Sequence, residues 1–388
     1  VRAFGLNTAT APASRSLQFD FEGTKIEICP EPTMPRRILE IGHLGFAKER
    51  FPDETLHINT EFAVLSTLST VSKLRAVWTQ ARSLLAAAWQ QNFDLVICRC
   101  FGRFIYRRDI SFPVNLLRWF MGWMIRGCVW LQVAKGARLA VVDALDESTI
   151  TSADLFLLKR CTRYFKRELP QNTWNTFLRV QPSHGEFNDL ISNPRFVPLA
   201  SRFAPIGLGV PLNRFRVIDE PSRRPLPDDE KLYDLFYAGT VRHSTVRQNG
   251  LEQLIELRAR GWRIEIMTGH IAFEEYLEKI RRSWLAWSPE GQGWDCYRHY
   301  EACLAGSVPL INYPTIQRHQ PLLDDVHCIF YPVEGDGLCR RAEAALADKP
   351  KLRRMSAAAR AHVLNFHTNG RLGDYLVTET MQVPRNPN

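Results

Sequence analysis

Between Ser288 and Ile311 the 388-residue chain brings glycines, carboxylates and an arginine to a spacing that suits a phosphorylated ligand. A short apolar run, Trp284 to Ser288, has the pattern of a buried strand. Pro289 to Gly293 cannot continue it, because proline lacks an N–H and the glycines favour a tight turn. Asp295 is placed to cap a helix that stops at Gly306, after which Val308 to Asn312 resumes a β-run. A glycine loop that opens a helix lets backbone N–H groups approach an anion, and the helix dipole adds partial positive charge. Asp295, Arg298 and Glu301 recur every three residues and share about 120° of the helix, so one cation and two carboxylates address the same side. A Glu one or two turns into such a helix can take both hydroxyls of a ribose. The same residues equally suit an N-cap with intrahelical ion pairs and no ligand.

The run resembles the donor-binding domain of GT-B glycosyltransferases, particularly the "glycosyl transferases group 1" and the spore-coat and exostosin-like families. Their pattern is similar to S-P-x-G-x-G-x-D-x-x-R-x-x-E-x-L-x-x-G-x-V-P. Here it is met by Ser288, Pro289, Gly291, Gly293, Asp295, Arg298, Glu301, Gly306, Val308 and Pro309, with Leu304 one place beyond the Leu of the pattern. The resemblance implies a nucleotide-sugar donor, with Glu301 on its ribose and the loop Glu290, Gly291, Gly293, Trp294 and Asp295 against its sugar and phosphates. Many relatives carry a further Glu eight residues before the ribose ligand. In this chain that position is Gly293, which leaves Glu290 or Asp295 to serve. A second loop, Gly239 to Gly250, corresponds to one that holds the donor diphosphate with a basic pair, and Arg242 and Arg247 match those places. Guanidinium groups suit this task because they stay charged and offer forked donors.

Elements able to position such loops alternate along the chain. Strands are expected at Arg36–Gly42, Asp94–Arg99, Ala137–Leu145 and Arg163–Glu168, with helices over Glu61–Gln91 and Pro113–Ala134. The second half repeats the rhythm from Tyr233 onward, with strands at Arg263–Thr268 and Cys328–Val333. Pro211, Pro221, Pro225 and Pro227 mark an aperiodic boundary. The expected organisation is a loose leader at 1–35, an acceptor-side Rossmann-like domain at 36–210, a linker at 211–232, a donor domain at 233–365 and a tail at 366–388. The fold class is α/β, and the resemblance specifies it as GT-B: two Rossmann-like doubly wound parallel-sheet domains facing a cleft, with a C-terminal helical tail that crosses back.

Ligands of open α/β sheets gather outside the carboxyl ends of strands. His43 after the first strand, Asp143 and Asp146 after the Ala137–Leu145 strand, and His184 are therefore acceptor-side candidates. If the reaction inverts the anomeric centre, His43, Asp143 or His184 would be the base, and a retaining reaction would need none.

Net charge is +9, of which +8 lies in residues 1–210 (26 basic, 18 acidic). Such a field attracts anions. Pro113–Ala134 is rich in tryptophan and interrupted by Arg118 and Arg126, which excludes a spanning helix and leaves an interfacial helix or one packed on the sheet. Peripheral membrane contact through 113–134 is thus an expected partner surface. Nucleic acid is not expected, since no binding motif accompanies the charge. Nine unpatterned cysteines point to reduced thiols and a cytoplasmic setting, possible at the inner face of a membrane. Val1 to Thr24 has no apolar signal region.

No D-x-D occurs, so no metal is expected, and no cofactor beyond the donor substrate. P-loop, nucleophile-elbow and H-E-x-x-H motifs are also missing. The reading is a metal-independent glycosyltransferase that moves a sugar to a hydroxyl of a glycan or lipid-linked acceptor. Two alternatives stand beside it: a non-catalytic nucleotide- or glycan-binding protein, and a methyltransferase resting on Leu39-Glu40-Ile41-Gly42.

Overall fold

The computed structural model describes residues 34–60, 70–101, 112–151, 153–177, 194–220, 224–241, 244–269 and 271–384. Arg242, His184 and the leader 1–33 lie outside the described residues. Met34–Asn388 form one compact unit.

In chain order the first half supplies β1 (Ile38–Ile41), α1 (Phe46–Arg50), β2 (Thr55–Ile58), α2 (Thr70–Gln90), β3 (Leu95–Arg99), α3 (Phe112–Ala134), β4 (Arg138–Asp143), α4 (Leu155–Leu158), β5 (Arg163–Lys166) and β6 (Phe203–Pro205). These strands form one parallel sheet in the order β2-β1-β3-β4-β5-β6. Their apolar residues are buried on both faces, as crossover connections require. One face, with Leu39, Ile41, Val96, Cys98, Leu139 and Val141, packs under α2 and α3.

The second half supplies α5 (Leu212–Ile218), β7 (Tyr233–Ala238), α6 (Thr245–Ala259), β8 (Ile264–Met267), α7 (Phe273–Arg281), β9 (Ser283–Trp287), α8 (Tyr297–Ala305), β10 (Val308–Asn312), β11 (Ile329–Tyr331), α9 (Gly337–Leu346), α10 (Lys349–Phe366) and α11 (Asn369–Gln382). Its parallel sheet runs β11-β10-β9-β7-β8. Strand order reverses between β7 and β9 there, and between β1 and β3 in the first sheet. At such switch points neighbouring loops diverge and leave a crevice.

One stretch differs from expectation. Residues 212–218, expected within an aperiodic linker, form α5, because Leu212, Phe215 and Ile218 recur at helical spacing and Phe215 and Ile218 join the core around Leu304. The terminal residues belong with the first sheet. Leu372, Leu376 and Val377 of α11 enter its second face beside Ile38, Leu95, Ala140 and Val142, and Arg138 donates to the Thr380 carbonyl at 2.8 Å. The helical tail therefore crosses back. Eight described cysteines are free thiols, and among the described residues no helix is long and apolar enough to cross a membrane.

The crossover from α10 to α11 carries stacked imidazoles. His319 stacks on Tyr375 with ring centroids 3.6 Å apart, and His367 contacts the Gln320 carbonyl at 2.8 Å through Nε2. Burial, reinforced by neighbouring histidines, pushes His367 down to about 3 and His319 down to about 4. Both values lie below the ordinary value near 6.5, so as pH falls the unfolded chain binds protons first. Stability should hold above about pH 6.5 and decline from there towards pH 4. Thermal midpoints measured between pH 7.5 and 5 should fall with acidification, and His367→Gln should flatten the slope. A midpoint indifferent to pH would contradict this.

Candidate functional site

Two loops leave the carboxyl ends of the strands at the second switch point. One follows β7 at Gly239, the other follows β9 at Ser288. Each uses a glycine to admit a guanidinium. A side-chain carbon on Gly239 (φ 150°) would stand 2.8 Å from Arg298 Nη2, and one on Gly291 would stand 2.8 Å from Arg247 Nη2. A Cβ at either position would require the guanidinium to move aside.

Arg247 projects from the first turn of α6. Its Nε donates to the Glu290 carbonyl at 2.8 Å and its Nη1 to the Thr240 carbonyl at 2.9 Å, which bridges the two loops. Arg298, in the first turn of α8, lies with its guanidinium carbon 5.3 Å from the Tyr237 ring centroid. Its Nε and Nη1 are buried without a hydrogen-bond partner. Burial and the nearby charge of Arg298 both hold Arg247 below its usual value. Among the described residues neither arginine forms an ion pair with a carboxylate. Two like charges held together with unused donors form a preorganised anion site.

Cys296 takes the N-cap of α8, the position expected for Asp295, and makes no side-chain cap. Burial alone would raise this thiol. Instead His299, whose Nδ1 lies 3.6 Å from Sγ, together with Arg298 and Ser288, draws it down to about 6. Burial disfavours the charged form of His299, yet the facing sulfur outweighs it and the imidazole is raised.

Glu301 lies one turn further along α8 and is 3% exposed. Its oxygens accept from Arg214 Nη1 and from the Tyr276 hydroxyl, the latter at 3.0 Å. The Arg214 guanidinium lies over Tyr297 at 4.6 Å and Phe273 at 5.3 Å. Asp295 accepts from the Leu208 N–H and the Tyr300 hydroxyl, both at 2.7 Å, so it ties the interdomain segment to α8. Glu290 is braced by Asn312, and Trp294 is buried with its indole N–H donating to the Asn312 carbonyl at 3.0 Å.

The first sheet reaches this loop through Glu168. Its carboxylate accepts from the Trp294 N–H at 2.9 Å and the Asp295 N–H at 3.1 Å. A side-chain carbon on Gly293 would stand 2.6 Å from both Glu168 Oε1 and Arg167 Nη2. The space a side chain at residue 293 would take is thus filled by Glu168 and Arg167 from the other half of the chain. Burial raises Glu168 above the ordinary carboxylate range, partly offset by Arg167 and the two N–H donors.

The acceptor-side candidates separate. Asp143 is enclosed at the end of β4, accepting from Lys166 Nζ at 2.9 Å, Tyr164 at 3.1 Å and the Leu145 N–H at 3.1 Å. It lies inside the domain, in a buried polar network, and not on a cleft wall. Asp146 is half exposed and pairs with Arg167. His43 lies after β1 at the first switch point, with Arg99 Nη1 3.0 Å from its Nε2. The charges of Arg214, Arg167 and Arg99 all reach Tyr297 at the start of α8, so His43 and Arg99 lie on the side of the first sheet that faces the donor-domain loops. Among the described residues no cluster of three or more His, Cys, Asp or Glu could hold a metal ion.

A model of the RXYLT1 C-terminal domain family matches residues 228–319, the stretch that contains both loops. No curated protein matches the sequence. Among solved structures, a glycosyltransferase from Rickettsia africae ESF-5 is similar at 10% identity and a TM-score of 0.49, covering 90% of this chain and 99% of that one. HepE from Anabaena, solved in complex with UDP, is similar at 10% identity and a TM-score of 0.47, covering 88% and 99%. Sucrose-phosphate synthase from Thermosynechococcus elongatus is similar at 10% identity and 0.43, covering 89% and 97%. The two parallel sheets and the returning terminal helix match the two-sheet α/β organisation expected from the sequence.

Arg214, Tyr276, Glu168 and Cys296 were not singled out by the sequence. Arg214 lay in an apparent linker, and Glu168 acts across 126 positions of chain. For Cys296 the visible signal was a cysteine and a histidine three residues apart at a helix start.

The thiol environment is directly testable. Alkylation of Cys296 by iodoacetamide, followed by peptide mass spectrometry, should show an inflection near pH 6, and His299→Ala should move it upward. An unshifted inflection above pH 8 in the parent protein would contradict the arrangement.

Proposed function

We propose that the chain is a metal-independent GT-B glycosyltransferase that moves a sugar from a nucleotide diphosphate sugar to a hydroxyl of a glycan or lipid-linked acceptor. The observation that carries this reading is the pair Arg247 and Arg298, two guanidiniums without carboxylate partners among the described residues, in glycine-lined space at the switch point. The family match over 228–319 and the resemblance of the Ser288–Ile311 run support it further.

In this reading the acceptor oxygen attacks the anomeric carbon, and the bond to the diphosphate breaks with its electron pair on the phosphate oxygen. Arg247 and Arg298 stabilise the charge that develops there, and their fixed positions mean little reorganisation as the bond breaks; the resemblance assigns Arg242 to the same diphosphate. Glu301 takes the ribose hydroxyls once Arg214 and Tyr276 yield their places. Glu168 holds the Trp294 and Asp295 N–H groups and thereby fixes the loop that faces the sugar. His43 would have to release Arg99 before it could accept the acceptor proton, which favours transfer of that proton to the departing phosphate oxygen. The acceptor enters from the side of the first sheet, past Asp146.

Calorimetry with a panel of nucleoside diphosphates tests the donor site, and donor turnover tests catalysis. One nucleotide class should bind, and Arg247→Ala should weaken it about 10- to 100-fold, the range expected for charge-assisted bonds of about 1.5–3 kcal/mol. Glu301→Gln should erase the preference for ribose over 2′-deoxyribose. Binding without hydrolysis or transfer would favour the non-catalytic reading, and binding of S-adenosylmethionine alone would overturn the proposal.

A further inference from the structure

The outer face of the first domain carries a surface that the donor chemistry does not use. Helices α2 and α3 pack side by side over the same face of the first sheet, so their outward sides point away from the molecule together. On α3 the exposed large residues are Phe112, Leu116, Trp119, Phe120, Trp123 and Trp130. At about 100° per residue all six fall within about 100° of arc, and they extend along about 27 Å of helix. On α2, Trp78, Leu85 and Trp89 fall within about 40°. Trp78 and Trp89 are 65% and 69% exposed, Trp119 and Trp123 64% and 62%. Core-packing helices turn such residues inward, as α3 does with Met121, Ile125 and Val129.

Charge identifies what covers this face. Residues 62–93 and 110–142 contain no Asp or Glu, whereas they hold Lys73, Arg75, Arg82, Arg118, Arg126, Lys135 and Arg138. Arg75, Arg82 and Lys135 are exposed beside the aromatic stripes. Arg118 is buried and Arg138 is bonded to the Thr380 carbonyl, but a protein partner matched to an apolar stripe would not require the exposed cations Arg75, Arg82 and Lys135 with no acid beside them. Tryptophan is the side chain best suited to the region between lipid headgroups and acyl chains, with an apolar body and one polar N–H. Cations without acids are attracted to anionic headgroups, and the combination is that of a helix lying in the membrane plane.

We propose that the α2–α3 face docks the protein on an anionic lipid surface, with the tryptophans inserted at headgroup depth and Arg75, Arg82 and Lys135 against the phosphates. The inference stands whether or not the donor site is catalytic. Docking would present the first domain to acceptors held in the membrane.

Co-sedimentation of the full chain with vesicles tests it. Binding is expected to vesicles of phosphatidylcholine with a quarter phosphatidylglycerol, with a blue shift of tryptophan emission and loss of binding at high salt. Vesicles of phosphatidylcholine alone should bind much less. The double variant Trp119→Ser, Trp123→Ser should lower partitioning about tenfold or more, and Arg75→Glu with Arg82→Glu should do the same. These residues are exposed, so far-ultraviolet circular dichroism and nucleotide binding should be unchanged in both variants. Failure to bind any vesicle, or equal binding of parent and variants, would overturn the proposal. So would a parent dimer in sedimentation that the tryptophan variant dissociates, since a second copy would then be what covers the face.

Discussion

Two guanidinium groups that form no ion pair with a carboxylate among the described residues are the constraint around which the donor half is built. Like charges at this separation repel, and burial removes the water that would screen them. The fold tolerates the pair because Arg247 is held by two backbone carbonyls and Arg298 lies against the Tyr237 ring and the Cys296 sulfur. Gly239 and Gly291 leave the space, and the reversal of strand order between β7 and β9 opens the crevice. Burial holds Arg247 below its usual value, whereas Arg298, against its burial, is raised by Cys296 and neighbouring tyrosines, and the free donors of Arg298 suit an anion.

The same loop is where the two halves of the chain meet. Glu168 from the first half accepts two backbone N–H groups beside Gly293, and Asp295 returns the contact by accepting the Leu208 N–H. Helix α11 adds a third tie by returning to the first sheet. A change in the angle between the sheets would alter the loop that leads into α8, so ligand occupancy and domain position are mechanically coupled. Holding the loop through Glu168 makes its geometry depend on the first domain.

Much of this was legible in the sequence, for identifiable reasons. Apolar runs broken by glycine gave the parallel strands because strands buried on both faces leave little room for polar residues. Val308–Asn312 was read to the residue. Spacing along a single helix placed Arg298 and Glu301 on one side, since that relation is local. Long-range pairings were not legible. Glu301 was read as a ribose ligand or as a partner in intrahelical ion pairs, but Arg214 and Tyr276, from a supposed linker and a neighbouring helix, occupy both its oxygens. Asp143 and Asp146 looked alike at a strand end. Burial against Lys166 and Tyr164 separates them, and that depends on β5, which lies twenty residues further on. The aromatic helix was ambiguous because α3 is apolar nearly all round, and only its packing shows which tryptophans remain outside.

The most direct measurement is paired: thermal stability and pyrophosphate binding of Arg298→Met, compared with the parent protein. If Arg298 is kept for an anion, the variant should stay folded and lose pyrophosphate binding. A variant that melts several degrees lower while binding pyrophosphate as the parent does would show that Arg298 is a structural cation and that the anion site is not there.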